Sequence, residues 1–272
     1  MNSAEIKNAY WNTGISDVEP TAVHARGYDV NDLMGRVSFA TTCYLVIRGK
    51  LPTPNQERML DALLNSTIDY GLKKPGTAAA RYCVSGNPNM QAGLATAVLS
   101  AGEYTLAPED AGKFIIEGVA KYKASGQTLD TFATAYVAEL RARKARVPGF
   151  GHPNFKGVDP RSERLKNLAM GEGIWGESCD WYEAIHRAFK LAVNKPDLPI
   201  NDVGMTAALF AQLGFSPAEM TGIAVMATLP GVIAHITEEM NSKVRIRTIP
   251  DETVTYERTR RDLEADLKSV GW

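Results

Sequence analysis

Apolar residues recur along this chain at the three- and four-residue spacing of helices rather than in the alternation of strands. In QERMLDALLNSTI (56–68), Met59, Leu60, Leu63, Leu64 and Ile68 fall on one stripe. QAGLATAVLSA (91–101) is small and apolar nearly all round, which predicts a buried helix. EDAGKFIIEGVAKYKASG predicts an amphipathic helix that stops at Gly126. TLDTFATAYVAELRARKARVPG begins with a cap at Thr128 or Asp130 and ends at Pro148–Gly149. WYEAIHRAFKLAVN closes before Lys195–Pro196, MTAALFAQLGF follows, and SPAEMTGIAVMATLPGVIAHITEEM opens on a Ser216 cap with Pro217 at the first helical position. Strand-like alternation is scarce, and VRIRTIP (244–250) is the best candidate.

Glycine and proline concentrate in GLKKPG (71–76), VPGFGHPNFKGVDP (147–160) and NKPDLPINDVG (194–204), loops of the kind that carry sites between rigid helices. The last two suggest a small helical segment inserted into a larger one. Composition narrows the classes. A net charge of −1 offers no field for nucleic acid or anionic membrane, and no apolar run approaches the roughly eighteen residues of a membrane span. The polar start, MNSAEIKNAYWNTG, lacks a secretory stretch, so a cytoplasmic location is expected. Cys43, Cys83 and Cys179 are scattered, without a CxxC. His24, His152, His186 and His235 never fall at metal-ligand spacing, so no metal is expected, and no GxGxxG opens a nucleotide-binding unit.

The run from Pro148 to Arg161, PGFGHPNFKGVDPR, resembles the signature of the citrate synthase superfamily, a PG-F/Y-GH turn followed nine residues after its histidine by the arginine of DPR. Arg26-Gly27-Tyr28-Asp29, Ser38-Phe39, Tyr44-Leu45 and Gly49-Lys50-Leu51-Pro52-Thr53 are similar to that family's opening. Gly231 to His235 with Glu238, then Val244-Arg245-Ile246-Arg247, are similar to its close. The short length is nearer the citryl-CoA lyases of the family. The resemblance implies an all-α fold: a large helical domain from 1–110 and 204–272, and a small inserted one from 111–203.

It also implies chemistry on a coenzyme A thioester. Asp202 matches the carboxylate that takes or returns the proton beside the thioester; a second register puts Val203 there, and a plain helix cap is the structural alternative. His152 matches the acid/base on the second carbonyl oxygen, and Arg161 an arginine that binds a carboxylate, its alternative being an ion pair with Asp159 or Glu163. The backbone from Val147 through Gly149, Phe150 and Gly151 matches the adenine cradle, and Lys156, Arg164, Arg146 and Lys195 are candidate partners of the CoA phosphates.

Three positions depart from the pattern. Thr105 stands where a GPLHGG histidine donates to the thioester oxygen, Tyr70 where the family reads DHG, and Thr228 where an arginine pairs with an oxo-acid carboxylate. A threonine hydroxyl donates a hydrogen bond but carries no charge. A second carboxylate facing Thr228 would lack its partner, so oxaloacetate and citrate are expected to be poor ligands. Arg245 or Arg247 is the expected loan across a homodimer interface. The expected activity is carbon–carbon cleavage or formation on another β-hydroxyacyl-CoA, with a small carbonyl compound as partner; the alternative is a non-catalytic CoA-binding relative. An unrelated helical interaction protein would leave the 147–161 pattern to coincidence.

Overall fold

The computed structural model describes residues 10–272 apart from Glu103 and Ala107, so most of the polar start lies outside the described residues. The described chain is mostly helical. A small antiparallel sheet, β1 (Ser16–Val18), β2 (Val23–Ala25) and β3 (Tyr28–Asp29), pairs Asp17 with His24 and Ala25 with Tyr28. It leads into α1 (Val30–Leu33), α2 (Phe39–Arg48) and α3 (Pro54–Ser66), where Thr53 and Gln56 close a reciprocal cap. A 3₁₀ turn at Gly71–Lys73 precedes the hairpin of α4 (Pro75–Gly86) and α5 (Met90–Leu99). Then come α6 (Pro108–Ser125), α7 (Leu129–Ala142), α8 (Pro160–Gly171), α9 (Glu177–Ala192), α10 (Asp202–Gln212), α11 (Pro217–Asn241) and α12 (Leu263–Ser269).

The main core joins α2 and α3 to α6 through α10 and the start of α11. Its centre is Trp181 on α9, wholly buried, with the Phe114 and Tyr136 rings at 5.3 and 6.0 Å. A smaller cluster, Ala80, Val84, Ala97, Val232 and Ile236, fastens the α4–α5 hairpin to the far half of α11.

Three expectations need correction. Helix α5 is not buried all round, since only Gly93 and Ala97 are enclosed and Leu99 stays 84% exposed. VRIRTIP is not a strand. It has no strand beside it; the Ile246 and Arg247 amides donate instead to the Ser85 carbonyl and hydroxyl, and Lys243 and Ile246 hold positive φ, which breaks an extended run. Helix α11 is long and apolar enough, by length and composition, to cross a membrane. Here it lies along α4, α5 and α6. The Ser216 cap and Pro217 start hold, with Glu219 completing the capping box.

Two features of the fold set the site. First, the loops 147–151 and 199–201 pair as a short antiparallel bridge: the Gly151 amide donates to Pro199 O (2.8 Å) and the Asn201 amide to Gly149 O (2.9 Å). The Asn201 side-chain amide adds a bond to Gly151 O at 2.9 Å. Contact at this depth requires glycine. Gly149 has a φ of +81°, and a Cβ there would sit 2.2 Å from Tyr182 Oη and 2.5 Å from Gly204 Cα. Second, the wholly buried Glu239 on α11 joins Arg81 of α4 and Arg247, each through Nε at 2.6 Å. Those bonds hold its carboxyl below the usual range, Arg247 first and Arg81 next, against its burial.

Gly149→Ala is expected to lower stability by about 1–3 kcal/mol in urea titrations, because neither Tyr182 nor Gly204 can give way cheaply. Glu239→Ala is expected to cost about 1.5–3 kcal/mol in the same measurement, since Arg247 loses its carboxylate and Arg81 keeps only Glu238. Losses under half a kcal/mol would show that these contacts do not hold the loops and helices in place.

Candidate active site

The Gly/Pro loops converge on one cavity of about 230 Å³, walled by the end of α3, the 3₁₀ turn, the start of α4, the 104–106 turn, His152, Arg161, Asp202, Val203 and Thr228. The three expected catalytic side chains and three of the expected substrate residues therefore share a single space. Asp202 is not the cap of α10. Asn201 does that work, accepting from the Gly204 amide at 3.0 Å, and Asp202 takes the next position with its side chain in the cavity.

Asp159 organises the polar side of this cavity. It is wholly buried at the N-terminus of α8, and its carboxylate accepts from the Arg161 amide (3.0 Å), Arg161 Nη2 (3.0 Å), Arg161 Nε (3.3 Å) and the Asp202 amide (3.2 Å). A buried carboxylate needs this many donors to remain ionised. The guanidinium so fixed reaches Asp202 Oδ2 through Nη1 at 2.7 Å, and lies over the Tyr70 ring at 5.3 Å and the Phe155 ring at 5.9 Å. Burial raises the Asp202 carboxyl above its ordinary pKa, with Asp159 adding to the rise; Arg161, and more weakly His152, oppose it. The Asp159 partner proposed as the structural alternative for Arg161 is thus present, and Asp202 is a second one.

His152 accepts at Nδ1 from the amides of Asn154 (3.1 Å) and Phe155 (3.2 Å). Nδ1 is therefore unprotonated, and a neutral ring carries its proton on Nε2. That nitrogen lies 3.4 Å from Arg161 Nη2, itself only a donor. At that distance the two groups are in contact, so an oxygen that accepts from both sits beside the pair rather than between them. His152, Asp159 and Asp202 bring their potential ligand atoms within 4.8 Å of one another, the spacing of a cation site. The Arg161 guanidinium bonds both carboxylates, at 3.0 and 2.7 Å.

The three departures also line the cavity. Tyr70 forms the platform under Arg161, Thr105 closes the 102–105 turn through two 2.9 Å backbone bonds with Gly102, and Thr228 spends its hydroxyl on Val225 O at 2.9 Å. Residues 104–106 and Val203 also border a second hollow of about 610 Å³, whose wall includes Lys113, Phe114, Arg146, Pro148 and Gly149.

The expected CoA contacts divide. Arg146 and Gly149 line the second hollow, while Val147 is a core residue and Phe150 packs on Tyr182, His186 and Phe189. Gly151 spends both its amide and its carbonyl inside the protein. Lys156 and Lys195 border neither space, and Arg164 faces a separate hollow beside α3. Arg247 is tied to Glu239 away from the cavity, and the exposed Arg245 has no carboxylate partner among the described residues. The sequence reading passed over Lys73 and Lys74 in the cavity, and Lys113 at the second hollow.

Residues 52–249 match the model of the citrate synthase C-terminal domain. The chain is 28% identical to citrate synthase 2 of Bacillus subtilis over 208 residues, 76% of this chain and 54% of that protein, so it spans about half the length of this curated relative. Citryl-CoA lyase from Hydrogenobacter thermophilus superposes with a TM-score of 0.86 at 34% identity, covering 96% of this chain and 100% of that one. ATP citrate lyase from Methanosaeta concilii, in complex with (3S)-citryl-CoA, shares the fold at a TM-score of 0.76 and 18% identity, over 98% of this chain and 45% of that one. The chain belongs to the citrate synthase family.

Proposed function

We propose that this protein makes or breaks a carbon–carbon bond in a β-hydroxyacyl-CoA thioester, with a carbonyl partner other than oxaloacetate. The observation that carries the reading is the shared cavity of Asp202, His152 and Arg161, which adjoins, at the 104–106 turn and Val203, a second hollow of about 610 Å³. The citryl-CoA lyase likeness at 34% identity supports a thioester substrate. Both spaces lie where the 111–203 segment meets the rest of the chain.

The protonation pattern suits condensation as the forward description. Asp202, ionised beside Arg161, takes a proton from the carbon next to the thioester, and the Thr105 hydroxyl donates to the thioester oxygen as charge builds there. The α-carbon attacks the partner's carbonyl carbon. The carbonyl π electrons pass to its oxygen, which takes the Nε2 proton of His152 and lies beside that nitrogen and Arg161 Nη2. Cleavage runs the same steps backwards: the hydroxyl proton returns to His152, the carbon–carbon bond breaks, and Asp202 delivers its proton to the acyl carbon. A homodimer belongs to the same proposal, with the exposed Arg245 as the group offered to a neighbour.

The test is mass spectrometry of a hydroxyacyl-CoA panel, and of acetyl-CoA with small carbonyl compounds, for interconversion. The wild type is expected to turn over at least one pair, with oxaloacetate among the poorest partners. Asp202→Asn and His152→Ala are expected to lose about 10²–10⁴-fold in rate, while keeping a CoA-dependent thermal shift. A shift without turnover would assign the protein to CoA-binding relatives, and neither signal would sink the reading. Because the Asp202 pKa is raised and the base must be unprotonated, kcat/KM is expected to fall with acidification through a value above the ordinary aspartate range. An acid limb at or below that range would remove Asp202 as the base.

A further inference from the structure

Lys74 has no explanation in the chemistry above, and its position is expensive. The side chain is only 8% exposed, lines the cavity, and makes no hydrogen bond or ion pair with any described residue. It occupies the N-cap of α4, a twelve-residue helix whose positive end it shares. A cation at that end of a helix is unfavourable, and an unpaired buried ammonium more so. The carboxylates nearby are engaged elsewhere: Asp69 accepts from His235 Nε2 at 3.1 Å, and Asp159 and Asp202 share Arg161. Lys74 thus has no bonded carboxylate, only the longer-range pull of Asp69, while Arg161 holds two.

The family's second arginine is replaced by Thr228, whose hydroxyl is turned back onto its own helix. The cavity therefore presents, in place of that arginine, one buried ammonium without a bonded carboxylate. We propose that Lys74, reinforced by the N-terminus of α4, holds the carboxylate of the carbonyl partner, and that this partner is a 2-oxo acid with a single carboxylate. Its carbonyl oxygen lies beside His152 Nε2 and Arg161, and its carboxylate, on the neighbouring carbon, is directed toward Lys74. The inference rests on the lyase or synthase reading and names that reaction's substrate class. Burial pushes the Lys74 pKa down to about 8 against the pull of Asp69, as expected of an ammonium awaiting its anion.

Calorimetry with pyruvate, the smallest such acid, and with its neutral isostere pyruvamide tests this without turnover. The wild type is expected to bind pyruvate at least tenfold tighter than pyruvamide. Lys74→Met is expected to erase that preference and Lys74→Arg to keep it. Wild-type affinity for pyruvate is expected to fall as pH rises from 7 to 9.5, as the ammonium loses its proton, and the arginine variant is expected to lack this fall. That control carries whatever Asp69, Tyr70, Lys73, Tyr104, His152, Arg161 and Asp202, which also face the cavity, contribute. Pyruvate bound as tightly by Lys74→Met as by the wild type, or no preference for pyruvate in the wild type, overturns the proposal. Pyruvate binding lost in Lys74→Met, together with no turnover of any CoA thioester, would uphold the anion site and sink the lyase reading instead.

Discussion

The Asp159 carboxylate is the constraint on which the rest of the site depends. Buried without access to solvent, it is satisfied by four converging donors, three from Arg161 and one from the Asp202 amide. That convergence fixes the guanidinium against the first turn of α8 and sets the starting backbone of α10 against it. Two helices that are neighbours only in space are thereby held at one relative position. The candidate base and the candidate acid inherit their placement from this contact, Asp202 through an ion pair and His152 through its approach to Nη2. A buried ion pair of this kind is weak evidence for stability, since burial of the charges offsets much of their attraction. Its stronger effect is on geometry.

The glycines work to the same end by a different route. At Gly149 and Gly204 two backbones and the Tyr182 hydroxyl meet at distances that leave no space for a side chain, and Tyr182 also donates to Pro148 O at 2.7 Å. The loop that carries His152 is thus held to the loop that carries Asp202 by the bridge between residues 149–151 and 199–201. The motif's glycines serve the protein's own hydrogen bonds at Gly151, which narrows the part of this loop left for a ligand to the stretch near Arg146 and Gly149.

The residues that could be read from the sequence are those whose spacing is itself informative. His152 and Arg161 lie nine residues apart on one loop and one helix start, so a linear pattern marks them both. Helix existence was legible for the same reason, because three- and four-residue apolar spacing follows from backbone geometry. Asp159 appeared only as a possible partner of its neighbour, since nothing linear tells that a carboxylate will be buried. Helix α5 was misread because small apolar residues look alike whether or not another surface covers them. VRIRTIP alternates like a strand, yet a strand needs a partner edge, and Ser85 with Glu239 claimed its donors first.

Lys74 was invisible for a related reason. In GLKKPG two lysines stand side by side, and as text either is a solvated surface charge. The fold separates them: Lys73 stays at the exposed rim, while Lys74 is drawn inward because Pro75 starts α4 directly behind it, so the chain enters the helix at the cavity wall. The same fold leaves it no bonded carboxylate, since Asp69 bonds His235 and the two others bond Arg161. An ammonium that is costly to bury and bonded to nothing is hard to account for by stability. A site built to receive an anion accounts for it, because a carboxylate bonded to the ammonium offsets the cost of burying it.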